Sequence, residues 1–193
     1  LRRICQVDRL LRMGEWPRTQ GQLLAAQSVG IIGLGRVGGR VARLCQAFDA
    51  KVVAHDSYVK QSPQGIELVS LEKVLAETDI VSLHLTYDAN THHLLDRKAF
   101  ARMKPGVIVI NTARGGLIDE TALAEALASG QLGAAALDVF EEEPYRGPLL
   151  KCDKAILTSH IGSLAKESRQ RMEVEAADNL RQGLINAGLM KDR

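Results

Sequence analysis

Three glycines stand between a short apolar run and an amphipathic stretch in the first quarter of the chain. They are Gly33, Gly35 and Gly38, and the apolar run before them covers residues 29–32. In a strand-turn-helix unit the first glycine permits the tight turn, the second lets the backbone approach a pyrophosphate, and the third lets helix and strand pack closely. The spacing therefore predicts a βαβ unit that binds a dinucleotide. The alternative is a plain strand-to-helix turn without a ligand.

Short β-branched runs alternate with longer amphipathic stretches from Ser28 to about Thr158. Breakers such as Pro63 and Pro105 fall between them, and no internal repeat is visible. The alternation predicts one globular α/β unit, a doubly wound parallel sheet of the Rossmann type that is covered on both faces. The expected strands are 29–32, 51–55, 66–69, 80–85, 107–110, 134–139 and 155–158.

The two ends of the chain differ from its middle. Residues 1–14 are expected to be helical, although no plausible N-cap precedes them. A second long helix is expected over about 163–185, where apolar residues recur at intervals of seven and four. Either helix could pack on the domain or cross to a neighbour.

Composition narrows the possible partners. The chain has 193 residues, of which 46% are hydrophobic and 25% charged, and its formal net charge is +2. This balance provides no basic block that would follow a phosphate backbone, so nucleic acid is not an expected partner. Because no apolar stretch approaches 18 residues and no signal pattern opens the chain, we expect no membrane association and a cytoplasmic location.

The three cysteines, Cys5, Cys45 and Cys152, are odd in number and lack the spacing of metal ligands. They predict neither a disulfide framework nor a metal site. We expect reduced and mostly buried thiols.

Asp56 stands 18 residues after Gly38, directly after the second expected strand. A carboxylate at this place accepts hydrogen bonds from the adenosine ribose hydroxyls and repels a 2′-phosphate, which favours NAD over NADP. The alternative is that Asp56 caps a turn. Lys60 is expected to be a solvated surface lysine.

Three further polar residues each follow the end of an expected strand: Arg114, Glu143 and His160. Together with the glycine turn, a guanidinium, a carboxylate and an imidazole at strand ends suggest hydride chemistry on a carboxylated substrate. A 2-keto acid, for example, needs a bidentate cation for its carboxylate and a proton donor at its carbonyl oxygen as hydride arrives. A neighbouring carboxylate favours the protonated form of a histidine. Taken singly, Arg114 could be a loop cation, Glu143 part of a solvated acidic turn, and His160 a structural histidine.

Five segments together resemble the cofactor-binding domain of the D-isomer-specific 2-hydroxyacid dehydrogenases, and the resemblance covers nearly the whole chain. These segments are 29–39, 79–95, 103–119, 136–144 and 157–162. The resemblance implies that Arg114 binds the substrate carboxylate, that His160 is the acid/base, and that Glu143 is paired with it. The proline usual soon after the family's fourth strand is Thr86 here, two residues after His84.

The resemblance also implies cofactor contacts. Thr112, with Ala113 beside it, and Asp138 lie along the cofactor near its nicotinamide, although Asp138 could instead cap the end of a strand. At the middle of the cofactor, Arg36 and Val37 belong to the first helical turn, whose free N–H groups face the phosphates. His92 and His93 are expected on a surface loop.

The resemblance implies that the full-length protein has a second, substrate-binding domain and forms a homodimer. The chain is then one dinucleotide-binding domain over 1–193, in which about 1–25 and 163–193 are flanking helices directed toward an absent substrate domain. The expected function is transfer of hydride between NAD and a D-2-hydroxy or 2-keto acid. The alternative is an NAD(H)-sensing interaction protein similar to the corepressors built on this fold.

Overall fold

The structure is a computed structural model that describes residues 1–62 and 65–191. Pro63, one of the expected breakers, lies outside the described residues. The chain divides into two compact units, Leu1–Ser159 and His160–Arg193.

The first unit alternates strands with helices, as the sequence predicts. Its strands are β1 (Ser28–Ile32), β2 (Lys51–His55), β3 (Glu67–Leu68), β4 (Ile80–Leu83), β5 (Val107–Asn111), β6 (Leu132–Leu137) and β7 (Ala155–Leu157). Its helices are α1 (Ile4–Arg12), α2 (Arg36–Ala47), α3 (Leu71–Glu77), α4 (Arg97–Arg102) and α5 (Glu120–Ser129). Single 3₁₀ turns cover Leu24–Ala26, Gly115–Leu117 and Pro148–Lys151.

All seven strands form one sheet in the order β3-β2-β1-β4-β5-β6-β7, and every neighbouring pair is parallel. The chain winds outward from β1 in one direction and from β4 in the other, which confirms the predicted doubly wound Rossmann-type sheet. In such sheets a crevice opens where the order reverses, beyond the carboxyl ends of the two central strands.

The sheet separates two hydrophobic clusters, because alternate residues of each strand point to opposite faces. Ile32, Val53 and Val81 belong to the cluster that contains residues of α3, α4 and α5. Ile31 and Ala54 belong to the other cluster, which contains Ala42 of α2. Burial on both faces fixes the register of the central strands, and so the positions at which their carboxyl-terminal loops begin.

Asp79 fastens the start of β4 to the start of β1. Its Oδ2 accepts hydrogen bonds from the backbone N–H of Ser28 (2.8 Å) and from the Ser28 hydroxyl (2.5 Å), and its Oδ1 accepts one from Lys104 Nζ (2.9 Å). Partial burial alone would raise the pKa of Asp79. The bonds from Ser28 and Lys104 outweigh it and lower the pKa to about 2.

The expectation of mostly buried thiols was wrong. Cys5 is exposed, and Cys45 and Cys152 are only partly buried, although all three are free thiols. Cys5 lies on α1, a helix with no buried residue, and burial raises the pKa of the Cys45 thiol. α1 begins after Arg3 without a side-chain cap, which agrees with the lack of a plausible N-cap residue in the sequence.

The second unit contains α6 (Lys166–Asn186), slightly shifted from the expected helix over 163–185. Ala165 precedes it without a side-chain cap, and Arg169 forms an ion pair with Glu173 one turn later (3.5 Å). No helix in the described parts of the chain is long and apolar enough to cross a membrane.

Candidate active site

The glycine loop between β1 and α2 has the geometry that the three glycines predict. Gly33 has a φ of +94°, and a Cβ there would lie 2.7 Å from the carbonyl of His84. A Cβ on Gly38 would lie 1.9 Å from the Gly33 carbonyl oxygen, so close helix-strand packing requires glycine. At Gly35, the residue before α2, a Cβ would meet open space. Gly35 therefore leaves the backbone accessible to a ligand at the helix N-terminus.

The first helical turn of α2 is available for the same ligand. The first intrahelical bond runs from the N–H of Gly39 to the Gly35 carbonyl (2.9 Å), so the N–H groups of Arg36 and Val37 precede the helical ladder. Arg36 and Val37 are exposed. The loop thus offers backbone donors and the positive end of a helix dipole, a combination that suits a pyrophosphate.

Asp56 follows β2 and reaches back to the glycine loop. Its Oδ2 accepts a hydrogen bond from the N–H of Leu34 (2.7 Å), and its Oδ1 accepts bonds from the N–H groups of Tyr58 (2.8 Å) and Val59 (3.1 Å). Burial alone would raise the pKa of Asp56, but these three hydrogen bonds lower it overall. Asp56 therefore caps a turn, as the structural alternative predicts, and also lies ionised beside the glycine loop.

Four of the predicted site residues border one cleft of about 480 Å³. They are Val37, Thr112, Ala113 and Arg114, and His84, Leu85, Thr86 and Tyr87 complete the lining. Burial lowers the pKa of His84, whose Nε2 lies 2.9 Å from the Ser82 hydroxyl. The cleft is bordered by the loops that follow β4 and β5 and by the start of α2, which agrees with the crevice expected at the sheet's reversal.

Arg114 is held by a residue that sequence reasoning missed. Asn111 is fully buried at the end of β5; its Nδ2 donates to the Arg114 carbonyl (2.8 Å), and its Oδ1 accepts from the N–H of Ala113 (3.0 Å). The Arg114 side chain is exposed and donates from Nη1 to the Ala113 carbonyl (2.6 Å). The sequence did contain a sign of this role, a polar amide at the end of an apolar strand. A buried amide is rarely left without a hydrogen-bond partner.

Glu143 lies in the loop after β6 and borders a second cavity, of about 580 Å³, lined largely by apolar residues such as Phe140, Tyr145 and Leu157. Its Oε1 accepts a hydrogen bond from the N–H of Phe140 (3.2 Å), and the Glu143-Pro144 peptide bond is cis. The side chain of the nearby Glu141 has a different partner, His93. Glu141, Glu142 and Glu143 are all exposed, and two of them have hydrogen-bond partners within the protein.

Asp138, directly after β6, is 7% exposed. Its Oδ1 accepts a hydrogen bond from the Thr158 hydroxyl (2.6 Å), and its N–H donates to the Asn111 carbonyl (3.0 Å). These contacts join the ends of β5, β6 and β7. The alternative role at a strand end is therefore realised, and a contact with a cofactor remains a prediction.

His160 opens the second unit, three residues after β7 ends. It is exposed and has a φ of +56°. Few non-glycine residues adopt this left-handed conformation, and such residues cluster at functional sites.

Residues 1–62 and 65–191 contain no group of three or more His, Cys, Asp or Glu side chains able to hold a metal ion.

Comparison with known proteins connects this geometry to one family. The sequence model for "D-isomer specific 2-hydroxyacid dehydrogenase, NAD binding domain" matches residues 1–162. A D-3-phosphoglycerate dehydrogenase of Mycobacterium leprae is 41% identical over 189 residues, which cover 95% of this chain and 36% of that protein.

Two solved structures have the same fold. A glyoxylate reductase from Paecilomyes thermophila superimposes with a TM-score of 0.89 at 38% identity, covering 95% of this chain and 58% of that one. A D-lactate dehydrogenase from Aquifex aeolicus, complexed with NAD and lactic acid, gives a TM-score of 0.87 at 29% identity, covering 97% and 62%. This chain therefore spans between about a third and two thirds of the length of these proteins. Because the family model matches most of its residues, the chain belongs to the D-isomer specific 2-hydroxyacid dehydrogenase family, as its NAD-binding domain.

Proposed function

We propose that this domain works in an NAD-dependent oxidoreductase that transfers hydride between the nicotinamide and a D-2-hydroxy acid or its 2-keto acid. One observation carries the proposal: Val37 of the first turn of α2 and the exposed Arg114 border the same cleft. A dinucleotide on the glycine loop and a carboxylate on the guanidinium would then share one cavity. The names of the relatives support the same reaction class, and none of those reported above is a corepressor.

The residues present fit a dinucleotide. The open backbone at Gly35, with the N–H groups of Arg36, Val37 and Gly38, would hold the pyrophosphate. Beside this loop, Asp56 would accept from the adenosine ribose. Toward the nicotinamide end we place Thr112 and Ala113, which border the cleft, and Asp138.

The preference for NAD over NADP rests on Asp56. Its carboxylate lies next to the glycine loop and its pKa is lowered, so it is negatively charged at neutral pH. A 2′-phosphate would bring a second negative charge to this place, and like charges close together are unfavourable. The solved D-lactate dehydrogenase named above contains NAD.

For reduction, bound NADH supplies the hydride to C2 of a 2-keto acid. Arg114 binds the substrate carboxylate as a bidentate cation. His160 then donates a proton to the carbonyl oxygen as the hydride arrives, and Glu143 is the carboxylate that we assign to the same reaction. The left-handed backbone of His160 supports a functional role, since backbone strain of this kind persists where the surroundings require it.

The wider context is part of the proposal. The matched part of the relatives is 36% to 62% of their length, so we propose that a substrate domain outside these residues supplies the other side of the cleft. The helices α1 and α6 would connect to it. We further propose a homodimer and a cytoplasmic location, supported by the metabolic dehydrogenases among the relatives.

Steady-state oxidation of NADH by the full-length protein tests this function. We expect turnover with 2-keto acids such as pyruvate, glyoxylate or hydroxypyruvate, and little with ketones of similar size that lack the carboxylate. Arg114→Lys should raise KM for the keto acid by about tenfold or more, because an ammonium cannot form the bidentate fork.

The control is Arg146→Lys, an exposed arginine that borders neither cavity. Equal reduction of ketones with and without a carboxylate would contradict the role of Arg114. Absence of turnover with every 2-keto acid would contradict the proposed function.

A further inference from the structure

The loop that carries Glu143 forms hydrogen bonds with its surroundings through Glu141, two residues earlier. Glu141 Oε1 lies 2.7 Å from His93 Nε2, and both side chains are about one-third exposed. The backbone N–H of Glu141 donates to Glu120 Oε1 at the start of α5 (2.8 Å). Two elements far apart in the sequence therefore hold this one residue from two directions.

His93 is in turn bonded to the loop that carries Arg114. Its backbone N–H donates to the Gly116 carbonyl (2.8 Å), and the next contacts continue in parallel, from Leu95 N–H to the Leu117 carbonyl (3.0 Å). An isolated β-bridge joins Leu95 and Ile118. Residues 93–95 thus run beside the segment that directly follows Arg114.

The loops after β5 and β6 also approach each other closely. A Cβ on Gly115 would lie 1.8 Å from the carbonyl carbon of Phe140, so the residue after Arg114 contacts the backbone just before Glu141. A small sideways shift of the Glu141 loop would open this contact. Close packing between two loops transmits displacement, because interiors at this density do not deform freely.

A second chain of contacts leads from His93 to the cleft. The His92 and His93 rings stack with centroids 3.8 Å apart, and Tyr87 Oη lies 3.0 Å from His92 Nδ1. Tyr87 borders the cleft together with Arg114, and its ring packs over Gly116. The loops after β4, β5 and β6 therefore meet at His93.

We propose that His93 and Glu141 are positioning residues. The hydrogen bond between their side chains holds residues 138–144, which include Glu143, against the loop that carries Arg114. This inference rests on the proposed function, since it assigns the bond a role in that reaction. Misplacement of a reacting group by about 1 Å can lower a rate by roughly a hundredfold. A bond that orders the Glu143 loop therefore affects kcat without touching substrate or cofactor.

The test compares kinetic constants of four variants of the full-length protein. His93→Ala and Glu141→Ala should each lower kcat for keto-acid reduction about tenfold, while KM for NADH stays within twofold of wild type. His93→Gln, which retains a donor near the Nε2 position, should recover most of the lost kcat. Glu142→Ala is the matched control, a neighbouring exposed glutamate outside the bond, and should behave as wild type.

The double variant His93→Ala/Glu141→Ala should be no slower than either single variant, because both remove the same bond. If wild type turns over and His93→Ala keeps its kcat, the positioning role is wrong while the proposed function stands. A loss of kcat that His93→Gln does not recover, or an equal loss with Glu142→Ala, would also overturn it.

Backbone hydrogen exchange gives a readout that needs no turnover. Exchange in peptides covering 138–144 should be faster in His93→Ala than in wild type and unchanged in Glu142→Ala. If wild type reduces no 2-keto acid, the proposed function fails. Faster exchange would then still support the ordering of the loop by this bond, and unchanged exchange would overturn it.

Discussion

The two oxygens of the Asp56 carboxylate bind different parts of the protein backbone. Asp56 caps a turn through Oδ1 and bonds the glycine loop through Oδ2. Each carboxylate oxygen can accept more than one hydrogen bond, so these contacts leave capacity for a ribose hydroxyl. Asp56 therefore stabilises the shape of the loop and can still select the ligand that binds there.

Replacement of Asp56 tests cofactor selection. Asp56→Asn should narrow the preference for NADH over NADPH by about tenfold or more, because removal of the negative charge relieves repulsion with the 2′-phosphate. Calorimetry with both cofactors measures the change. Lys60→Ala is the control, since its Nζ contacts the carbonyl of Ser57 and should leave the preference unaltered. An unchanged preference in Asp56→Asn would show that another group selects the cofactor.

Glu143 and His160 are tested by the rate of keto-acid reduction. If Glu143 takes part in the proton transfer, Glu143→Gln should keep cofactor affinity and lower kcat by roughly tenfold or more, since an amide carries no negative charge. His160→Ala should lower the rate by roughly two to four orders of magnitude. A kcat in Glu143→Gln identical to that of wild type would remove Glu143 from the mechanism.

At the scale of elements, one ionised side chain reinforces the parallel pairing of β4 with β1. Asp79 has a pKa of about 2 in the folded protein, against about 3.9 in an unfolded chain. A lowered pKa means that its stabilising contribution is complete above about pH 5, where the carboxylate is ionised in both states, and is lost as the pH falls from about 4 toward 2. Ser28 and Lys104 are the partners that supply it.

Asp79→Asn should lower the free energy of unfolding by roughly 0.5–1.5 kcal/mol at neutral pH, because the variant loses the charge that faces Lys104. Denaturant unfolding of both proteins should show this difference shrinking as the pH falls below about 4. Asp153→Asn is the control, since the Asp153 side chain is 90% exposed. A difference that stays constant down to about pH 3 would contradict the assignment.

The elements show which features the sequence could predict. Apolar runs located β1, β2, β5 and β7 to within one residue. Most residues of β1, β2 and β5 are buried, which explains their clear apolar pattern, whereas β7 is an edge strand with no buried residue. The other edge strand, β3, is only Glu67–Leu68, shorter than the expected 66–69. β6 begins two residues earlier than expected, at Leu132.

Contacts between distant loops lay beyond sequence reasoning. His92 and His93 were expected on a surface loop, and nothing in the spacing indicated that His93 would meet Glu141, 48 positions away. The role of Asn111 was missed for a similar reason, because its partners are backbone groups whose position depends on how the loop folds. Motifs indicate candidate ligand-binding residues, whereas the residues that position those candidates depend on contacts between loops that are distant in the sequence.

At the scale of the whole molecule, the proposed function requires a dinucleotide and a substrate carboxylate in one cleft beyond the carboxyl ends of the central strands. Gly35 follows β1 and Arg114 follows β5, so both lie on the same edge of the parallel sheet. The proposal predicts that hydride passes from the bound nicotinamide to the substrate.

An isotope-transfer experiment tests this hydride transfer. NADH is labelled with deuterium at C4 of the nicotinamide, on the face from which hydride leaves, and is mixed with a 2-keto acid. With the full-length protein, mass spectrometry and chiral separation should find one deuterium at C2 of the D-2-hydroxy acid. His160→Ala should form the same product far more slowly. Consumption of NADH without deuterium in the product, or formation of the L-enantiomer, would contradict the proposed function.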